Sequence, residues 1–90
     1  MHDSLFRALA DPTRRRILEL LAVGDRTAGE IAEQFPIAFA SVSHHLGVLK
    51  AAGLVAAERE GQFIRYRLNT TVFQEVVRYL IKSFSGGNDA

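Results

Sequence analysis

The sequence predicts a mainly α-helical fold that carries one small β-hairpin. Three observations predict it. Between residues 41 and 52, apolar side chains recur at Val42, Leu46 and Leu49, the spacing of a helix with one buried face. Gly53 suits the left-handed position just past the end of that helix. From residue 54 to 68 the apolar period shortens to two, with Glu60-Gly61 between the two runs, which is the pattern of a hairpin.

The other elements follow in order. Leu5, Phe6 and Leu9 predict a short amphipathic helix. Asp11-Pro12 opens a second one, since Asp is a good N-cap and Pro fits the first helical position. Ile17, Leu18, Leu20 and Leu21 supply its buried face, and Gly24-Asp25 ends it. Thr27-Ala28-Gly29-Glu30 has the form of a capping box, with the threonine bonding the N3 amide and Glu30 reaching back. The helix it opens turns Ile31, Ala32 and Phe35 inward until Pro36 breaks it. The helix over 39–52 comes next. In the hairpin, Val55, Ala57, Ile64, Tyr66 and Leu68 share one face while Arg65 and Arg67 point the other way. Asn69 or Thr70 caps a last helix whose apolar residues are Phe73, Val76, Val77, Leu80, Ile81 and Phe84. That stripe, widened by Val72 and Tyr79, exceeds what a chain of 90 residues covers by itself. A second copy is expected to complete the core. The tail over 85–90 is expected to fray. Helix, turn, helix and ribbon make up a winged helix-turn-helix of five helices in a single domain, residues 1–90, with the hairpin between the fourth and fifth.

The helix over 39–52 carries the chemistry. Ser41, Ser43, His44 and Lys50 lie away from its buried face, and no carboxylate stands between residues 38 and 57. Phosphate repels carboxylates, while short hydroxyls let a backbone approach a DNA groove and still bond bases or phosphates. Ser41 either joins these contacts or only serves the helix start. His45, beside Leu46, reads as a packed histidine. Phe39 either touches thymine methyls or folds back onto the core. Arg59 and Gln62 flank the hairpin turn and can reach a minor groove or phosphate; Arg65 and Arg67 sit on its outer face. Arg14, Arg15 and Arg16 point in different directions around their helix, so one of them can reach phosphate.

Charge agrees with one DNA-facing side. The net charge is only +1, but residues 38–69 hold Lys50, Arg59, Arg65 and Arg67 against Glu58 and Glu60. Acids gather over 19–33, at Glu19, Asp25, Glu30 and Glu33. There is no cysteine, which excludes disulfides, thiolate metal sites and cysteine nucleophiles. No segment has the length of a membrane span or the apolar run of a signal peptide, so a cytoplasmic protein without membrane insertion is expected. The only histidines are His2, His44 and His45, with no HExxH, phosphate-binding glycine loop or nucleophile elbow, so an enzyme is not expected. Adjacent helical residues point ~100° apart, so His44 and His45 do not readily share one metal.

On these residues the chain resembles the ArsR family of small winged-helix repressors. The likeness is carried by Leu9-Ala10-Asp11-Pro12-Thr13-Arg14-Arg15-Arg16-Ile17-Leu18, by Ser41-Val42-Ser43-His44-His45-Leu46 with Leu49-Lys50-Ala51-Ala52-Gly53-Leu54-Val55, and by Glu60-Gly61-Gln62 with Tyr66-Arg67-Leu68. Within the family it is most similar to the SdpR-like autorepressor subgroup, through Gly61-Gln62-Phe63-Ile64 and Leu68-Asn69-Thr70-Thr71. The resemblance implies a homodimer joined by its first and last helices, through Leu5, Phe6, Leu9, Phe73, Val76, Val77, Leu80, Ile81 and Phe84. It implies a palindromic operator in double-stranded DNA, read in successive major grooves about 34–36 Å apart. Repression then works by blocking a promoter and is relieved by an inducer. Ser43 and His44 match the positions that reach bases or phosphates.

Three departures qualify the likeness. Many members sense metals through cysteines in the helix before the recognition helix, and here that segment reads Ala28-Gly29-Glu30-Ile31-Ala32-Glu33-Gln34. Others use His and acidic residues on the last helix, where this chain has Glu75 alone. No metal and no cofactor are therefore expected. At Ala38-Phe39-Ala40 the family often begins with Ser and continues with small or polar groups. Loss of that cap costs roughly 0.5–2 kcal/mol unless another group replaces it. Two other readings stay open: a winged helix used as a protein-interaction module, and a repressor that binds a small molecule at the dimer interface, although no polar cluster marks such a site. Relief by a protein anti-repressor also stays open.

Overall fold

The computed structural model describes residues 3–85. His2 and the tail beyond Ser85, expected to fray, lie outside the described residues. The chain runs α1 (Asp3–Leu9), α2 (Pro12–Val23), β1 (Arg26–Thr27), α3 (Ala28–Ala32), α4 (Phe39–Ala51), β2 (Val55–Glu60), β3 (Phe63–Leu68) and α5 (Thr70–Ser85).

Local chemistry explains most boundaries. Asp11 caps α2 by accepting the Arg14 amide at 3.0 Å, with Pro12 in the first turn. The capping box of α3 closes in both directions: Thr27 Oγ1 accepts the Glu30 amide at 3.2 Å, and Glu30 Oε1 accepts the Thr27 amide at 2.8 Å. Helix α4 ends in a Schellman motif, in which the Leu54 amide donates to Leu49 O and the Gly53 amide to Lys50 O, both at 3.0 Å. Gly53 reaches that geometry with φ of 80°. Asn69 rather than Thr70 caps α5, its Oδ1 accepting the Val72 amide at 3.3 Å.

The sheet differs from expectation in two ways. It has three strands, in the order β1-β3-β2, whereas the sequence suggested a lone hairpin. Arg26 pairs with Tyr66 and Thr27 with Arg65, so the residues just before the capping box also extend the ribbon. Two residues are too few to show a period of two. The turn is also shifted by one residue: Glu60 still pairs with Phe63, which leaves Gly61-Gln62 as the loop. Gly61 has φ of 63°, and among the described residues no non-glycine residue has positive φ, as a type II′ turn requires.

The core lies where α2, α3, α4 and the start of β2 converge. Ile17, Ile31, Val42, Leu46, Leu49 and Leu54 are completely or almost completely buried. Leu5 and Ala8 from α1 and Val76 from α5 complete it. Leu5 and Val76 are thus buried within one chain. Val77, Tyr79, Leu80, Ile81 and Phe84 remain exposed, with Ile81 at 61% and Phe84 at 76%. More than half of the α5 stripe is therefore exposed in a single copy.

Helix α4 starts without a side-chain cap, because Ala38 has extended backbone but nothing to accept an amide. Replacing Ala38 with Ser is expected to stabilise the protein by about 0.5–2 kcal/mol. The check is the urea midpoint at unchanged slope. An unchanged or lower midpoint would show that the first turn is already satisfied by other means.

Candidate nucleic-acid interface

Helix α4 is anchored by Val42, Leu46 and Leu49 and turns its other side outward. Ser41, Ser43, His44 and Lys50 are all exposed. Lys50 has no acidic partner within 4.0 Å among the described residues. Phe39, the first residue of α4, is 57% exposed and does not join the core. Of its two expected placements, folding back is thereby excluded. Phe39 lines a shallow concavity of about 250 Å³ with Thr27, Ala28, Gly29, Gln62, Phe63 and Ile64.

The start of α4 therefore meets the wing tip across a partly apolar gap. Phe63 is 57% and Ile64 41% exposed, and sequence reasoning had not singled out either for the site. Ile64 does lie on the inner face of the hairpin, paired with Arg59, but the tip extends past the core. Phe63 lies on the opposite face, where an exposed aromatic was the available signal.

The wing's cations are unequal. Arg65 Nε donates to Glu60 Oε1 at 2.9 Å, and Arg67 lies 3.6 Å from Glu58. Glu60, by hydrogen bond and by charge, raises the Arg65 pKa; Glu30 and Asp25 add to it, against some desolvation. Arg65 is thus compensated by acids. Arg59 has no acid within 4.0 Å among the described residues and only donates to Gly61 O at 3.4 Å. Gln62 beside it is exposed. Arg59 and Gln62 are the better placed of the wing residues to meet phosphate.

The three consecutive arginines of α2 are each engaged within the chain. Arg16 pairs with Glu19 at 3.1 Å, and Arg15 donates to Leu9 O at 2.8 Å. Arg14 donates through Nε to Ala8 O at 2.8 Å and through Nη2 to Arg7 O at 3.0 Å. Its Nη1 sits 3.2 Å from His45 Nδ1. A guanidinium only donates, so in this contact His45 Nδ1 is the acceptor. Asp11 Oδ2 lies 3.8 Å from the same Nδ1. His45 is half-buried, as the packed position it was expected to be, and it ties α4 to the α1–α2 corner.

On the far side, Phe6 of α1 meets Tyr79 of α5 with ring centroids 5.8 Å apart. Leu9, Leu18, Ala22, Leu68 and Phe73 line an apolar groove of about 380 Å³, with Arg15 and Glu19 also on its wall. Phe73, Val77 and Ile81 line another on the outer face of α5. Among the described residues no cluster of His, Cys, Asp or Glu is placed to hold a metal ion. No described helix is long and apolar enough to cross a membrane.

An exposed, carboxylate-free helix packed behind a β-ribbon defines a winged helix-turn-helix, the architecture of a DNA-binding regulator. Residues 11–57 match the model of the family described as "Bacterial regulatory protein, arsR family". The chain belongs to that family and is a DNA-binding transcriptional repressor, not an enzyme. It is 48% identical over 87 residues to the transcriptional repressor SdpR of Bacillus subtilis (strain 168), covering 97% of each chain. It is 46% identical over 61 residues to a probable mercury resistance operon repressor of Streptomyces lividans, covering 68% of this chain and 49% of that one. Among solved structures it is similar to an ArsR-like transcriptional regulator from Rhodococcus sp. RHA1, with a TM-score of 0.90, 32% identity, and 98% of this chain and 81% of that one covered. A crystal structure of another ArsR family transcriptional regulator gives 0.89 at 29% identity, over 96% of this chain and 94% of that one.

Two carboxylates at helix starts give acid sensitivity. The Arg14 amide holds Asp11 below its ordinary 3.8, opposed by desolvation and helped by the charges of His45 and Arg14 and by the Thr13 amide. The Thr27 amide holds Glu30 below its ordinary 4.5, again against desolvation, with the Thr27 hydroxyl, Arg65 and Arg26 helping. In both cases the folded pKa is the lower one. Their contribution is complete above the ordinary values and is lost as pH falls through the folded ones. The urea midpoint is therefore expected to drop from about pH 5 downward, and less steeply when Asp11→Asn and Glu30→Gln are combined. Equal slopes in parent and variant would sink the assignment.

Proposed function

We propose that this repressor acts as a homodimer on a palindromic operator, without a bound metal, and that its own promoter is one target. The observation that carries this is the pairing of two exposed surfaces on one chain. Ser41, Ser43 and His44 stand on a helix face free of carboxylates. Val77, Leu80 and Ile81 form an exposed apolar stripe on α5. A twofold dimer through α5 and α1 covers the stripe and sets two recognition helices side by side, as a palindrome requires. Phe6, Leu9 and Phe73, half-buried in one copy, lie at the margins of that seam, with Leu5 and Val76 supporting it from within.

In this reading Ser43 and His44 contact base edges or phosphates, Ser41 and Phe39 lie at the helix entry, and Arg59 and Gln62 reach the adjacent backbone. Arg65 contributes less, because Glu60 already holds it. This chain has no cysteine and so offers no thiolate ligand to a metal. Release from DNA then falls to a small molecule or to a protein anti-repressor, in a cytoplasmic setting.

Titration against the protein's own upstream region and a scrambled fragment tests the proposal. Specific DNA-binding proteins prefer their site by ~10³-fold or more. Binding of two chains per site with that preference is the expected result; equal, weak binding to both fragments would count against autoregulation. Combining Ser43→Ala with His44→Ala is expected to lower specific binding more than binding to random DNA. Equal losses on the two would remove these residues from base readout.

Leu80→Glu is expected to convert a dimer to a monomer, because it would place a charge in an apolar seam. Sedimentation of a helical variant with unchanged dimer mass would refute the interface.

A further inference from the structure

The ring at the entrance of the recognition helix is an unusual group to leave in water. Phe39 is 57% exposed although the core lies one turn away at Val42. At ~100° per residue, Phe39, Ser43 and Lys50 fall within about 40° of one another around the α4 axis. The ring therefore shares a flank with an exposed hydroxyl and with a cation that has no acidic partner within 4.0 Å among the described residues. No carboxylate occurs between residues 38 and 57 to keep phosphate away from that flank. Ala38 and Ala40 on either side are small and leave room for close approach. Phe63 and Ile64 line the same concavity, so the wing side of the ring is apolar as well.

We propose that Phe39 reads the C5-methyl group of a thymine in the major groove, and that this apolar contact sets part of the protein's base preference. The proposal rests on the reading that α4 enters that groove. A phenyl ring has no donor or acceptor, so it cannot distinguish the polar edges of guanine, cytosine or adenine. The thymine methyl is the one apolar feature a base pair presents in the major groove. Phe39 therefore specifies thymine where a polar side chain would read a hydrogen-bonding edge. The contact also covers a ring that is otherwise left in water.

Deoxyuridine makes the test clean, because it removes the methyl and keeps every hydrogen-bonding group. The wild-type protein is first used to select duplexes from a random pool. Each thymine of the selected half-site is then replaced in turn by deoxyuridine. One thymine per half-site is expected to weaken wild-type binding by about four-fold when demethylated, as burial of a single methyl-sized group implies. Phe39→Ala is expected to bind the parent duplex more weakly and to be indifferent to that demethylation. Phe39→Gln, which keeps a long side chain at the helix start, is expected to be equally indifferent and serves if the alanine variant loses helix content. The proposal is overturned if no thymine is sensitive in the wild type, or if both variants lose as much as the wild type on demethylation. In that case the ring faces a protein partner or the wing. Failure to enrich any sequence from the pool would instead overturn the DNA reading on which the proposal stands.

Discussion

A single guanidinium joins three of the five helices. Arg14 stands on α2, donates to the carbonyls of Arg7 and Ala8 in α1, and reaches His45 on α4. Those carbonyls belong to the last turn of α1, where the Arg7 carbonyl also accepts the Ala10 amide at 3.2 Å. A cation there also suits the negative end of the helix. The fork geometry matters, since three donors in one plane serve three acceptors that an ammonium could not reach together. Asp11 closes the corner by capping α2 and lying beside the same histidine. The pose of the recognition helix is thus referred directly to α1, the helix that meets α5 through Phe6 and Tyr79. A change at the α1–α5 end has a short physical route to α4 through Arg14.

Much of this architecture was legible because the relevant signals are local. The caps of α2 and α3 need residues three apart, and the spacing of Val42, Leu46 and Leu49 announces which side of α4 is buried. The Schellman end is written in Gly53 followed by an apolar residue. What escaped notice depended on distant partners. β1 exists only because β3 lies beside it, and two residues carry no period. The role of Arg14 rests on a carbonyl pair and a histidine 31 positions away, which no spacing rule reports. Among three adjacent arginines, nothing in the sequence distinguishes the one that is fully engaged from its neighbours. Val76 belongs to the periodic stripe of α5, yet the chain's own core consumes it. Phe39 was legible as an anomaly, and its exposure needed the structure.

Electrostatics on the wing sorts by face. Glu58, Glu60, Arg65 and Arg67 occupy the outer face of the hairpin and pair diagonally across it. All four are substantially exposed, so these pairs add little stability. Their effect is to cancel charge where it is not needed. Lys50 and Arg59 stand apart from acids, so uncompensated positive charge is concentrated near α4 and the wing tip on a chain whose net charge is only +1. In the proposed mode of binding, a modest local field of that kind orients an approaching duplex without making the protein adhere to every polyanion.

The strand order has one more consequence. With β3 in the middle, both outer strands present unpaired backbone, the usual template for unwanted sheet growth. β1 is only two residues long and offers little to a foreign strand. β2 is longer, but its distal half reads Glu58-Arg59-Glu60, so a second β2 laid against it would have to bury alternating charges. With one edge short and the other charged, the ribbon resists joining chains edge to edge, even when many copies crowd together.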